Sequence, residues 1–101
     1  MYYFYILRCR DNSLYSGIST DPKRREKEHN TSNAKASRYT RSRRPVRLVY
    51  VEQHKDMTSA MRREREIKRW SKKKKEASVS RQFLDSLWYP QRILWTPQND
   101  T

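Results

Sequence analysis

Residues 2–9, Tyr-Tyr-Phe-Tyr-Ile-Leu-Arg-Cys, are aromatic and branched with no breaker among them, and this run constrains the fold most. Such a stretch reads as a β-strand. Side-chain alternation puts Tyr3, Tyr5, Leu7 and Cys9 on one face and Tyr2, Phe4 and Ile6 on the other. Asp11-Asn12-Ser13 follows as a turn, and a second strand from Leu14 to about Ser19 completes a hairpin. Gly17, the only glycine in the chain, falls on that second strand two residues after Tyr15. Glycine belongs where the backbone takes a positive φ or where something must approach closely. A turn would use that freedom, and so would a ligand.

Thr20-Asp21-Pro22 starts a helix that runs to about Asn30, with Asp21 as N-cap and Pro22 at the first helical position. No residue from Lys23 to Asn30 is apolar, so ordinary core packing cannot be the main purpose of this helix. Residues 31–45 form a basic, polar connection with room for one helical turn over 34–39. A third strand is expected over 46–52 and a turn at His54-Lys55-Asp56, which exposes His54. A long helix over 58–74 follows, capped by Asp56 or Thr58. Met57, Ala60, Glu64, Ile67 and Ser71 recur at spacings of three and four, one inward stripe. In the tail, Val79, Phe83, Leu84, Leu87 and Trp88 share a helix face, with Ser78 or Ser80 as cap and Tyr89-Pro90 as terminator; Ile93-Leu94-Trp95 reads as extended. The fold class is α+β, a three-stranded antiparallel sheet flanked by helices. Residues 1–75 form the domain, and the apolar content of 76–101 implies docking on that domain or on a second chain.

Only 34% of the 101 residues are hydrophobic, so the core is small, and the formal net charge is +13. Nearly all of that excess lies between residues 21 and 75. Such a field favours a polyanion, of which nucleic acid is the commonest; an anionic membrane surface is the rival. No stretch approaches the ~20 apolar residues of a membrane-spanning helix, and the amino terminus lacks a signal-peptide run. The single cysteine, Cys9, excludes an internal disulfide and suits a reducing cytoplasm. It reads as a small buried hydrophobe.

Three groups can carry chemistry. Glu64 faces inward between Ala60 and Ile67, and a lone buried carboxylate needs a cation, a hydrogen-bond partner or a metal. An ion pair with an arginine satisfies that need. So does Mg²⁺, which is often held by one or two carboxylates with water and substrate phosphate completing its shell. Arg25 and His29 lie four apart and share a helix face; that face is either a solvated basic surface or a phosphate contact. Tyr5 is either a core residue with a satisfied hydroxyl or, beside positive charge that favours its phenolate, a general base.

Taken in order, these blocks resemble the GIY-YIG nuclease superfamily, specifically its small stand-alone members. The resemblance runs from Tyr5 to about Lys74: Tyr5-Ile6-Leu7-Arg8-Cys9 is similar to the first strand, and Asp11 to Gly17 to the turn and second tyrosine triplet. Asp21 to Asn30 is similar to the arginine-bearing helix, and Arg63-Glu64-Arg65-Glu66-Ile67-Lys68 to the metal-binding helix. Phe4 stands where the first triplet has glycine, Ser16 where the second has isoleucine, and residues 31–40 carry no glycine. A downstream asparagine found in some members has no counterpart.

The resemblance implies a divalent-metal-dependent endonuclease acting on DNA, with one Mg²⁺ or Mn²⁺ ion and no small-molecule cofactor. It makes Tyr5 the general base or water activator and Tyr15 the group that positions water or phosphate. Arg25 would stabilise phosphate charge, His29 would assist proton transfer or hold the phosphate, and Glu64 would hold the metal. Nucleic acid is expected along Gly17, Lys23, Arg24, Lys35, Arg38, Tyr39, Arg41, Arg43, Arg63 and Lys68. Seven tyrosines and three tryptophans on a basic surface favour single-stranded or branched DNA over plain duplex. A non-catalytic nucleic-acid-binding module is the alternative, and a membrane-surface adaptor leaves Glu64 unexplained. Nothing in the residues sets an oligomeric state.

Overall fold

The computed structural model describes residues 1–88, with side chains described through residue 82. The first hairpin forms as its pattern requires, from β1 (Tyr2–Arg8) and β2 (Leu14–Ser19). Its turn is closed by Cys9 N–H to Ser13 O and Asn12 N–H to Cys9 O, both 2.9 Å. Asn12 takes the left-handed conformation, φ 71°, that its side chain tolerates better than most. β3 (Arg47–His54) pairs antiparallel on the other side of β1, giving the order β2-β1-β3. A register shift interrupts β1–β3 pairing between Ile6 and Leu7.

The two faces of β1 divide the core as alternation predicts. Tyr5, Leu7 and Cys9 pack with Val46 and Val51, and Phe4 and Ile6 pack with Ile67 and Val79. α1 (Pro22–Thr31) covers the Tyr5 face. Asp21 caps it by accepting the Arg24 N–H, and Arg44 holds its far end through the carbonyls of His29 (2.6 Å) and Ser32 (2.9 Å).

The absence of apolar residues in α1 is explained by polar docking. Asn30 clasps the backbone of Val46, accepting its N–H at 2.7 Å and donating to its carbonyl at 2.9 Å. Glu26 accepts the Leu48 N–H at 2.7 Å. Buried backbone groups at the edge of β3 are thereby satisfied by side chains instead of a fourth strand. The short α2 (Arg38–Arg41) follows in the connection, later than the expected turn, because Ser37 is its N-cap.

The expected helix over 58–74 is two helices. α3 (Met57–Lys68), capped by Asp56, ends in a tight turn with Arg69 N–H on Glu66 O and Trp70 N–H on Ile67 O. Trp70 folds against the Phe4 cluster, and Ser71 opens α4 (Lys72–Trp88) by accepting the Lys74 N–H. The inward stripe of α3 holds at Ala60 and Ile67, while Met57 is 48% exposed.

The expected junction at residue 75 falls inside α4. Arg8 binds Glu76 through both guanidinium nitrogens at 2.6 and 2.7 Å, Val79 enters the core, and Gln82 clasps the backbone of Val51 at 2.8 and 2.6 Å. The terminator expected at Tyr89-Pro90 and the extended Ile93–Trp95 segment lie outside the described residues. His54, expected in an exposed turn, ends β3 and is half-buried against Glu52 at 2.9 Å.

Candidate active site

Gly17 stands directly across from Tyr5 in the β1–β2 pairing. A Cβ added to Gly17 would lie 2.5 Å from Tyr5 Oη and 2.7 Å from its Cζ. The glycine has no positive φ, so the turn role is excluded. What approaches Gly17 closely is the phenol ring of Tyr5.

Around this pair opens a groove of about 460 Å³ lined by Tyr5, Tyr15, Gly17, Arg25, Tyr39, Glu64, Lys68 and Lys75, among others. It lies over β2, an edge strand, so groups from both faces of the sheet reach it. α1 brings Arg25 from the Tyr5 side, and α3 brings Glu64 from the Phe4 side. Arg25 is oriented by Glu28 at 2.9 Å and by the Lys35 carbonyl at 3.0 Å.

Glu64 forms no arginine pair among the described residues; its nearest cation is Lys68 at 3.8 Å. No cluster of three or more His, Cys, Asp or Glu side chains suited to a metal occurs among the described residues. One half-buried carboxylate on the groove wall fits an ion that takes most of its shell from water and substrate oxygens, as Mg²⁺ does. It does not fit a preformed all-protein cage.

His29 is behind the site, not in it. The ring is 0% exposed, touches Tyr5 Oη through Nε2 at 3.2 Å, and packs edge-on against Tyr15 at 5.3 Å between centroids. Its Nδ1 meets Thr40 Oγ1 at 2.8 Å. Burial, reinforced by the charge of Arg25, pulls its pKa down to about 4, so the imidazole is neutral near pH 7. The Tyr5 phenol is pushed up to about 12, because burial outweighs the opposing charge of Arg25. The sequence expectation that positive charge favours the phenolate is therefore reversed in the free protein.

The other expected contacts divide. Tyr39, 36% exposed, stacks on Tyr15 at 5.8 Å and carries the Arg43 guanidinium 3.8 Å above its ring centroid. Lys23 pairs with Glu26, Arg24 and Lys35 with Glu28, Arg41 with the Asn33 carbonyl, and Arg38 is exposed. Arg63 is committed elsewhere: Glu52 takes its Nε at 2.9 Å, Glu66 takes Nη1 at 3.0 Å, and Tyr50 also bonds Glu52.

Sequence reasoning missed Thr40 and Lys75. Of the four consecutive lysines, Lys72 bonds the Asn12 carbonyl and Lys74 lies over Trp70, whereas Lys75 lines the groove. Nothing in the run distinguishes it, but its place one residue before the Arg8–Glu76 anchor does.

The pattern of the GIY-YIG catalytic domain matches residues 1–77. The chain belongs to the GIY-YIG family. It is 45% identical over 91 residues to the UPF0213 protein DP2720 of Desulfotalea psychrophila, covering 88% of this chain and 82% of the relative. To the UPF0213 protein SH2523 of Staphylococcus haemolyticus it is 47% identical over 74 residues, covering 73% and 88%. The solution structure of the UPF0213 protein BH0048 from Bacillus halodurans superposes with TM-score 0.50 at 46% identity, covering 79% of this chain and 84% of that one. EF2693 from E. faecalis superposes with TM-score 0.54 at 36% identity, covering 82% and 86%. This GIY-YIG chain thus carries the α+β fold of its relatives and belongs to a nuclease family. No helix among its described residues is long and apolar enough to cross a membrane.

Proposed function

We propose that this GIY-YIG protein is a divalent-metal-dependent endonuclease that hydrolyses phosphodiester bonds in DNA, favouring single-stranded or branched forms. The observation that carries the reading is the convergence of Tyr5, Tyr15, Arg25 and Glu64 on one groove of a strongly basic protein. Hydrolysis needs a water oxygen to bond to phosphorus as the bond from phosphorus to one sugar oxygen breaks. It also needs a group to receive the water's proton, a proton for the departing sugar oxygen from solvent, and positive charge where the phosphoryl oxygens become more negative. In this scheme Tyr5 Oη, having first lost its own proton to solvent, receives the water's proton as phenolate, and Tyr15 holds the water or phosphate. Arg25 neutralises the developing charge, aided by Lys75 and Lys68. Glu64 would hold one Mg²⁺ or Mn²⁺ ion, which when bound adds Lewis-acid charge to the same groove.

The preference for unpaired DNA is supported by Tyr39. Its ring lines the groove and the residue is 36% exposed, an aromatic contact of the kind unpaired bases use. A buried, unpaired Cys9 accords with a reducing cytoplasmic setting.

The test is cleavage of labelled single strands, duplexes, flaps and junctions with Mg²⁺ and with chelator. Cutting that needs metal and disappears in Glu64→Ala supports the proposal. Binding without cutting by the wild type replaces it with a non-catalytic nucleic-acid-binding module, and equal cutting by Glu64→Ala overturns the metal-dependent scheme built on Glu64.

A further inference from the structure

The hydrogen bonds behind Tyr5 have a direction that the heavy atoms alone reveal. The Ser37 backbone N–H reaches His29 Nδ1 at 3.4 Å, and an amide only donates. Nδ1 is therefore the accepting nitrogen of the ring. Thr40 Oγ1, 2.8 Å from the same nitrogen, then donates its hydroxyl proton to it and accepts from the Ser37 hydroxyl at 2.9 Å. Ser37 Oγ is itself fixed by the Thr40 N–H at 3.1 Å, the cap of α2. A hydroxyl has one proton and two acceptor lone pairs; Thr40 Oγ1 also lies 3.2 Å from the Ser37 carbonyl, and its one proton serves the nearer Nδ1 at 2.8 Å. A neutral imidazole that accepts at Nδ1 carries its proton on Nε2. Nε2–H thus donates to Tyr5 Oη at 3.2 Å, and every bond from Ser37 to Tyr5 points the same way.

We propose that Ser37 and Thr40 are positioning residues that hold His29 in its Nε2–H tautomer, so that His29 donates a hydrogen bond to the Tyr5 oxygen and takes no proton from it. This rests on the reading of Tyr5 as the group that receives the water's proton. His29 then stabilises negative charge on Oη and is not a relay that drains protons away from it. With the inner side of Oη occupied by a donor, the hydroxyl proton of Tyr5 is turned outward into the groove. The burial of Thr40, 0% exposed like His29, keeps water from supplying competing bonds that would let the ring change tautomer. The arrangement resembles the way a fixed outer partner selects the tautomer of a metal-bound histidine, except that the inner partner here is a phenol.

The full chain labelled with ¹⁵N tests this directly. The His29 Nδ1 resonance is expected in the unprotonated range and Nε2 in the protonated range; the reverse assignment overturns the proposal. Thr40→Val keeps the shape of the side chain and removes the donor. It is expected to spoil the single-tautomer signature and to lower kcat for DNA cleavage roughly 10–100-fold with KM little changed. Thr40→Ser is expected to restore both. A Thr40→Val protein with unaltered ring resonances and an unaltered rate refutes the role of Thr40. If Thr40→Val does not fold, the wild-type resonances and the Thr40→Ser protein decide. If the wild type cuts no DNA, the nuclease reading fails separately, and the ring resonances still decide the tautomer.

Discussion

Tyr5 and Gly17 face each other across β1 and β2, and the phenol of one occupies the volume where the other would have a side chain. The single glycine of the chain is spent on seating a tyrosine. Gly17→Ala is therefore expected to push the ring out of its place. Overpacking of this kind costs about 1–3 kcal/mol, measurable by urea unfolding, and DNA cleavage falls with it. The diagnostic result is coupling: the cost of Gly17→Ala is expected to be smaller in a Tyr5→Leu background, where no phenol needs the space. Strict additivity would show that the two residues are independent.

The phenol is protonated at neutral pH, its pKa raised to about 12 by burial against the lowering effect of Arg25. A base that acts as phenolate is more populated at each step toward higher pH. Cleavage is therefore expected to rise about tenfold per pH unit above pH 7 in the limit where only Tyr5 titrates. A plateau beginning near pH 7 would remove Tyr5 phenolate as the limiting species.

His29 makes an opposite claim on the acid side. Its pKa falls from 6.5 in the unfolded chain to about 4 in the fold because burial disfavours the cation. The unfolded state binds the proton first as pH drops, so the contribution to stability is complete above pH 6.5 and lost between 6.5 and about 4. The size of that loss is roughly 3 kcal/mol. Urea unfolding across this range should show a steeper decline for the wild type than for His29→Gln. Parallel declines would mean that the ring is charged in the fold.

Gln82 reaches from α4 to both polar groups of Val51, and Asn30 does the same for Val46 from α1. Gln82→Leu leaves a half-buried N–H and carbonyl without their partner, at a cost of about 1–3 kcal/mol. It also uncovers part of an edge strand, so concentration-dependent association is expected in light scattering. No change in either measurement would show that water replaces the glutamine.

Lys75 and Lys73 differ by two positions in one lysine run but only Lys75 lines the groove, while Lys73 is exposed. Lys75→Met is expected to reduce DNA affinity and lower the slope of affinity against salt by about one phosphate contact. Lys73→Met is expected to change both less. Equal effects would assign the lysines to a diffuse field instead of a site.

Residue alternation made the sheet faces legible, and Asp21-Pro22 made the start of α1 legible, because both signals are local. The break at Arg69–Ser71 was hidden: Trp70 and the lysines continue a helical pattern, whereas packing of the indole against the Phe4 cluster and the cap at Ser71 turn the chain there. Tyr5, Tyr15, Arg25 and Glu64 were legible as ordered blocks and meet at one groove. The burial of His29 was not, since a helix without apolar residues has no periodicity to reveal its inner face. Its inner face is defined by polar partners, Thr40, Asn30 and Glu26, that lie or bind far along the chain.

The groove lies over an edge strand and draws Arg25 from one helical layer and Glu64 from the other. A chain with only one layer closed on its sheet lacks half of the proposed chemistry. Under the proposed function, cutting therefore requires the completed fold, whereas the +13 charge that attracts nucleic acid does not.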